Sequence, residues 1–160
     1  MSATTNARPA GYAIRARGGR PRLWLAARVL GALALLVVGA VHLQQYFELY
    51  SSIPTIGTLF LLNFVGATLV GLGLLAPVEH LVGRLRGAIL AFLSLAGIVQ
   101  AATAFVFLFI SERTPLFGFM EPGYDPGAIL AARIAEAATV GFLGAFMWAR
   151  FLRPVPTSSW

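Results

Sequence analysis

The sequence predicts an all-α polytopic membrane protein: an up-down bundle of four transmembrane helices with both termini cytoplasmic. Three observations lead there. Hydrophobic residues make up 58% of the 160 and charged residues only 11%, where a soluble domain has about 25% charged. The apolar residues gather in four stretches of about 20 residues or more, enough at about 1.5 Å per residue to cross about 30 Å of hydrocarbon. All twelve basic residues are arginines, and most sit just beyond the ends of those stretches.

Residues 1–22 are polar and carry Arg8, Arg15, Arg17, Arg20 and Arg22. They read as a flexible cytoplasmic tail whose arginines can meet anionic headgroups. The four-span domain covers 23–150. Span one covers about 23–46, with Arg28 one turn inside and able to snorkel outward. A basic tail before an apolar run also fits a signal peptide. The uncharged stretch from Val29 to Phe47 exceeds a signal core of about 7–15 residues, and no small-x-small site follows it. A retained span is therefore expected. After a loop around 48–54, Pro54 suits a helix start and span two covers 55–77. The 79–87 loop holds Arg84 and Arg86, and its His80 carries no signal. Span three covers 88–111. The loop to Pro126 contains two turn signals, Glu121-Pro122-Gly123 and Asp125-Pro126-Gly127. Span four covers 127–148, and 151–160 forms a second cytoplasmic tail.

Orientation follows from the arginines. Six lie in or beside the first tail, two in the 79–87 loop and two after span four. With the N-terminus inside, the positive-inside rule is met at every cytoplasmic segment. A plasma-membrane, multi-pass location is the expectation. The basic excess is thereby read as topology rather than as a nucleic-acid surface. There are no cysteines, which excludes disulfides, thiolate catalysis and Cys-ligated metals. Small residues at four-residue spacing, Ala67/Gly71, Ala128/Ala132 and Ala137/Gly141/Ala145, are expected to let helices approach closely.

Polar groups inside the spans are costly and hence informative. They are His42, Asn63, Gln100, Arg133 and Glu136, and counted along the helices all fall toward the outer side. His42, Gln45 and Tyr46 share a helical face. Five of the six acids also lie on that side: Glu48, Glu112, Glu121, Asp125 and Glu136. The expected pattern is an outward-facing polar pocket. Its candidate ligand-binding residues are His42, Tyr46, Asn63, Gln100, Glu121, Arg133 and Glu136. Each has a plainer reading. Arg133 and Glu136, three apart, would neutralise each other. Asn63 and Gln100 would bridge helices. Tyr46, Tyr50 and Trp148 would sit in interface belts. Phe117 and Phe119 would fold over the bundle as a cap. No ligand spacing matches a metal site, and no cofactor motif is present.

Three segments resemble small four-span membrane proteins of actinobacterial type. They are His42-Leu43-x-x-Tyr46; Ile53-Pro54-Thr55-Ile56-Gly57-x-Leu59-Phe60-Leu61-Leu62-Asn63; and Leu116-Phe117-Gly118-Phe119-Met120-Glu121. The resemblance spans about residues 25–150. It implies the four-span fold, supplies no activity, and draws attention to His42, Asn63 and Glu121.

The functional expectation is a non-enzymatic accessory or interaction subunit bearing that pocket, with the bilayer, other membrane proteins or copies of itself as partners. One alternative is a small-molecule or ion binding or transport protein acting as an oligomer. Another is an intramembrane lipid or quinone enzyme, against which no nucleophile–base constellation is visible.

Overall fold

The computed structural model describes residues 20–77 and 83–152, and these are all-helical apart from one short bridge. Helix α1 covers Arg20–Gln45 and runs on through a π-helical turn, Tyr46–Tyr50. Helix α2 covers Pro54–Leu75. A 3₁₀ turn, Gly83–Leu85, leads into α3, Arg86–Ser111. Helix α4 covers Pro126–Met147 and runs on in a second π turn, Trp148–Leu152. All four are long and apolar enough to cross a membrane. Most of the expected N-terminal tail, the C-terminal tail from 153, and His80 lie outside the described residues.

Local chemistry sets the helix ends. Pro54 occupies the first turn of α2, where its missing N–H costs nothing. Helix α2 stops at Leu75 because Ala76 precedes Pro77 and takes an extended ψ of 147°. Asp125 caps α4: its carboxylate accepts the Ala128 N–H and Pro126 follows at the first helical position. The Asp125-Pro126-Gly127 signal is therefore a helix start rather than a free turn.

Helix α1 packs against α2 and α4, and α3 packs against the same two. Contacts between α1 and α2 run in opposite sequence order: His42 with Asn63, Gly39 with Ala67, Leu36 with Gly71. The Ala67/Gly71 pair lies on this seam. A Cβ at Gly71 would come within 2.8 Å of the Leu36 side chain and 3.3 Å of the Ala32 carbonyl oxygen. Ala137, Gly141 and Ala145 are exposed on the outside of α4. They mediate no close approach within the bundle, contrary to expectation, because the inward positions of α4 go to Ala135, Thr139, Leu143 and Phe146.

The packed core occupies one half. Ala32, Leu74, Leu90, Leu143 and Phe146 form one buried cluster, and Leu35, Val38, Ala67 and Ala135 the next. Ser94 and Thr139 sit in it with their hydroxyls donated to Leu90 and Ala135 carbonyls one turn back. Arg28 is buried here too rather than snorkelled outward. Along the outer surface of the helices, Leu62, Leu69, Phe92, Leu95 and Ile134 are largely exposed. Such an apolar exterior suits lipid, not water.

Candidate functional site

The other half is held by hydrogen bonds around a cavity. Four helix ends meet there: the C-terminal ends of α1 and α3 and the N-terminal ends of α2 and α4. The 112–125 segment lies across them as a strap.

Three helices are joined by one polar chain. Gln100 on α3 donates to the Asn63 side-chain oxygen at 2.6 Å and to its carbonyl at 2.7 Å. The Asn63 amide on α2 donates to His42 Nε2 at 2.9 Å, and His42 Nδ1 donates to the Val38 carbonyl at 2.8 Å. This pattern assigns the Nδ1–H tautomer to His42. Each member is engaged by the next, so the chain works as a latch between helices.

The π turn adds a second layer. Its bond runs from the Ser51 N–H to the Tyr46 carbonyl, five residues back. The wider turn brings Gln45 and Tyr50 onto one inward face, and both are buried. Gln45 donates to Asp125 at 2.9 Å. Asp125's carboxyl is held below its usual range, chiefly by the Ala128 N–H. Tyr50 donates to Glu121, whose other oxygen accepts the Gly123 and Tyr124 N–H groups. Tyr50 is thus a buried fastener for the strap, not an interface-belt residue. Gly57 allows this approach: a Cβ there would lie 2.7 Å from the Tyr50 carbonyl oxygen.

The strap is a tight hairpin. Leu116 and Phe119 exchange backbone bonds of 2.7 and 3.0 Å across Phe117 and Gly118. Both central residues have positive φ, 51° and 79°, as a type I′ turn requires. Phe119 turns inward, edge-on to Tyr50. Phe117 turns outward against Phe107 and is 56% exposed. Only Phe119 contributes to the cap.

Below the strap lies a cavity of about 380 Å³, within the range of small-molecule sites. His42, Asn63, Gln100, Glu121 and Glu136 all line it. Tyr46 does not; it packs edge-on to Phe47 at the margin. Arg133 does not line it either. Its Nη2 bonds both oxygens of Glu112 at 2.5 Å, which replaces the expected Arg133–Glu136 pair. Helical side chains lean toward their helix N-terminus. Arg133 accordingly reaches up to the end of α3, while Glu136, one turn deeper, remains inside. Glu136 is 1% exposed, and its Oε2 has no hydrogen-bond partner among the described residues.

Gln45, Tyr50 and Phe119 line the cavity too, although they were not among the expected ligand contacts. The three-residue spacing of His42 and Gln45 was one usable signal; the π turn that buries Tyr50 has none. Comparison with known proteins found no matching family model, no matching curated protein and no matching solved structure.

Proposed function

We propose that this chain is a plasma-membrane protein that binds a small, largely apolar molecule in the cavity under the strap, without catalysing its conversion. Both termini lie in the cytoplasm and the helices cross up and down, so the cavity opens toward the outer leaflet. The arginine distribution supports that orientation: ten of the twelve fall at the other end. One observation carries the binding reading. Glu136 is a buried carboxyl with an oxygen that has no partner among the described residues, beside a largely apolar cavity, and an unsatisfied polar group in such a place costs free energy. Its neighbours His42, Asn63 and Gln100 already satisfy one another. A ligand donor group supplies what Glu136 lacks.

Native mass spectrometry of the full chain, extracted from membranes in mild detergent, tests this. The expected result is a small-molecule adduct that Ala132→Leu, which fills the cavity, abolishes. An adduct equally present on both proteins, or no saturable small-molecule binding to the wild type, contradicts the reading. A role as a subunit of a larger assembly is favoured separately by the exposed Ala137, Gly141 and Ala145 face of α4. A chain that always purifies alone counts against that role.

A further inference from the structure

We infer that the ligand is a lipophilic ammonium ion, with Glu136 as its counter-ion. The inference rests on the binding reading above and adds the charge class. Among the described residues two acids, Glu121 and Glu136, line the cavity and no arginine does. Glu121 is fully engaged by Tyr50 and two backbone N–H groups, which leaves Glu136 to meet the ligand. The only cation nearby on its own helix, Arg133, is committed to Glu112.

The surroundings point the same way. Among the described residues, this half carries Glu48, Glu112, Glu121, Asp125 and Glu136 against Arg113 and Arg133. Leaving the buried Glu136 aside, four acids against two arginines leave an excess of two negative charges. Arg113 lies outside the cavity, stacked on Phe109 at 3.7 Å with Nη1 donated to the Phe109 carbonyl. An anion would enter against that field, and a cation with it. Phe60, Phe107 and Phe119 line the walls, and aromatic rings attract a positive charge.

An organic cation fits better than a metal ion. A hard metal ion needs about six oxygen ligands, whereas the latch and strap oxygens here are occupied by hydrogen bonds within the protein. An ammonium needs one carboxylate and tolerates an apolar wall. A free amine and an amine-bearing lipid headgroup share this chemistry.

The test titrates the full chain in phosphatidylcholine nanodiscs with three matched probes: phenethylammonium, 2-phenylethanol and phenylacetate. The expected order is phenethylammonium tighter than the alcohol by roughly tenfold or more, as a charge-assisted bond to a buried carboxylate implies, with phenylacetate weakest. Glu136→Gln brings the ammonium down to the level of the alcohol. Ala132→Leu weakens both, and it reports on the cavity even if Glu136→Gln fails to fold. Equal affinity for ammonium and alcohol in the wild type overturns the cation class, and an ammonium preference that survives Glu136→Gln overturns Glu136 as the counter-ion; both leave the binding reading intact. Binding of none of the three overturns both. Adding phosphatidylethanolamine to the nanodiscs separates the sources: competition with phenethylammonium assigns the amine to lipid, and no competition assigns it to a free solute.

Discussion

The two halves of the bundle are built from different materials. In one, Leu74, Leu90, Leu143 and Phe146 interlock with Ala32, and the buried hydroxyls of Ser94 and Thr139 are satisfied within their own helices. In the other, the helices are joined through side chains: Gln100 to Asn63 to His42, Gln45 to Asp125, Tyr50 to Glu121. The first fills its interior and the second leaves a cavity. Close packing is the main source of helix association in lipid, since lipid is as apolar as leucine. A half that forgoes packing and spends polar groups on enclosing a space is the half in which we place the ligand.

This contrast predicts unequal responses to mutation. Leu143 is fully buried and touches the Gly31 and Gly97 backbones' open faces. Leu143→Ala is expected to lower stability by about 2 kcal/mol or more, read as the unfolding midpoint in nanodiscs. Leu108→Ala, at the cavity wall, is expected to cost under about 0.5 kcal/mol. Equal losses would erase the distinction between the halves. Gly57→Ala forces a Cβ to within 2.7 Å of a backbone oxygen that the π turn fixes, and is expected to cost about 1–3 kcal/mol. A loss much smaller than that would show that the strap fastening is loose.

Asn63→Ala sharpens the comparison. It removes the middle of the latch and strands Gln100 and His42. Hydrogen bonds between membrane helices average about 0.6 kcal/mol, so a loss of about 1–2 kcal/mol is expected, with ligand affinity falling in parallel. Loss of stability without loss of affinity would separate the latch from the cavity.

The smallest effect concerns pH. Asp125 has its carboxyl held low by the Ala128 N–H and by Gln45. A depressed value in the folded state means that its contribution is complete above about pH 4 and is lost as pH falls through the lowered value. Faster amide exchange at the start of α4 in that acid window is expected, and Asp125→Asn should flatten the dependence.

Much of the fold was legible because lipid imposes a simple rule on sequence. Long uncharged runs and flanking arginines mark helices able to span a membrane, and Pro54 marks a helix start where its missing donor costs nothing; the expected span two runs on to Pro77, two residues past the observed end at Leu75. The site was legible only in part. His42, Asn63, Gln100 and Glu136 could be singled out because polar groups in apolar runs need a reason. The pairing of Arg133 could not be read from spacing. Three residues put Glu136 on the same face, but side-chain lean carried the guanidinium to Glu112 instead. The burial of Tyr50 depended on a π turn, for which the segment Tyr46–Tyr50 carries no composition signal. The outward placement of Ala137, Gly141 and Ala145 shows the same limit: spacing identifies a face but not its neighbour.

Glu136 decides between a site and a fold built of polar contacts. If it is there for a ligand, the ligand-free protein bears an unsatisfied buried carboxyl, and an apolar side chain of similar size should relieve it. The measurement is the unfolding midpoint of Glu136→Met against wild type in ligand-free nanodiscs. The predicted result is a rise, of about 1 kcal/mol or more in stability, together with lost phenethylammonium binding. A fall of similar size would mean that Glu136 holds the bundle together, and would contradict the assignment of this half to ligand binding.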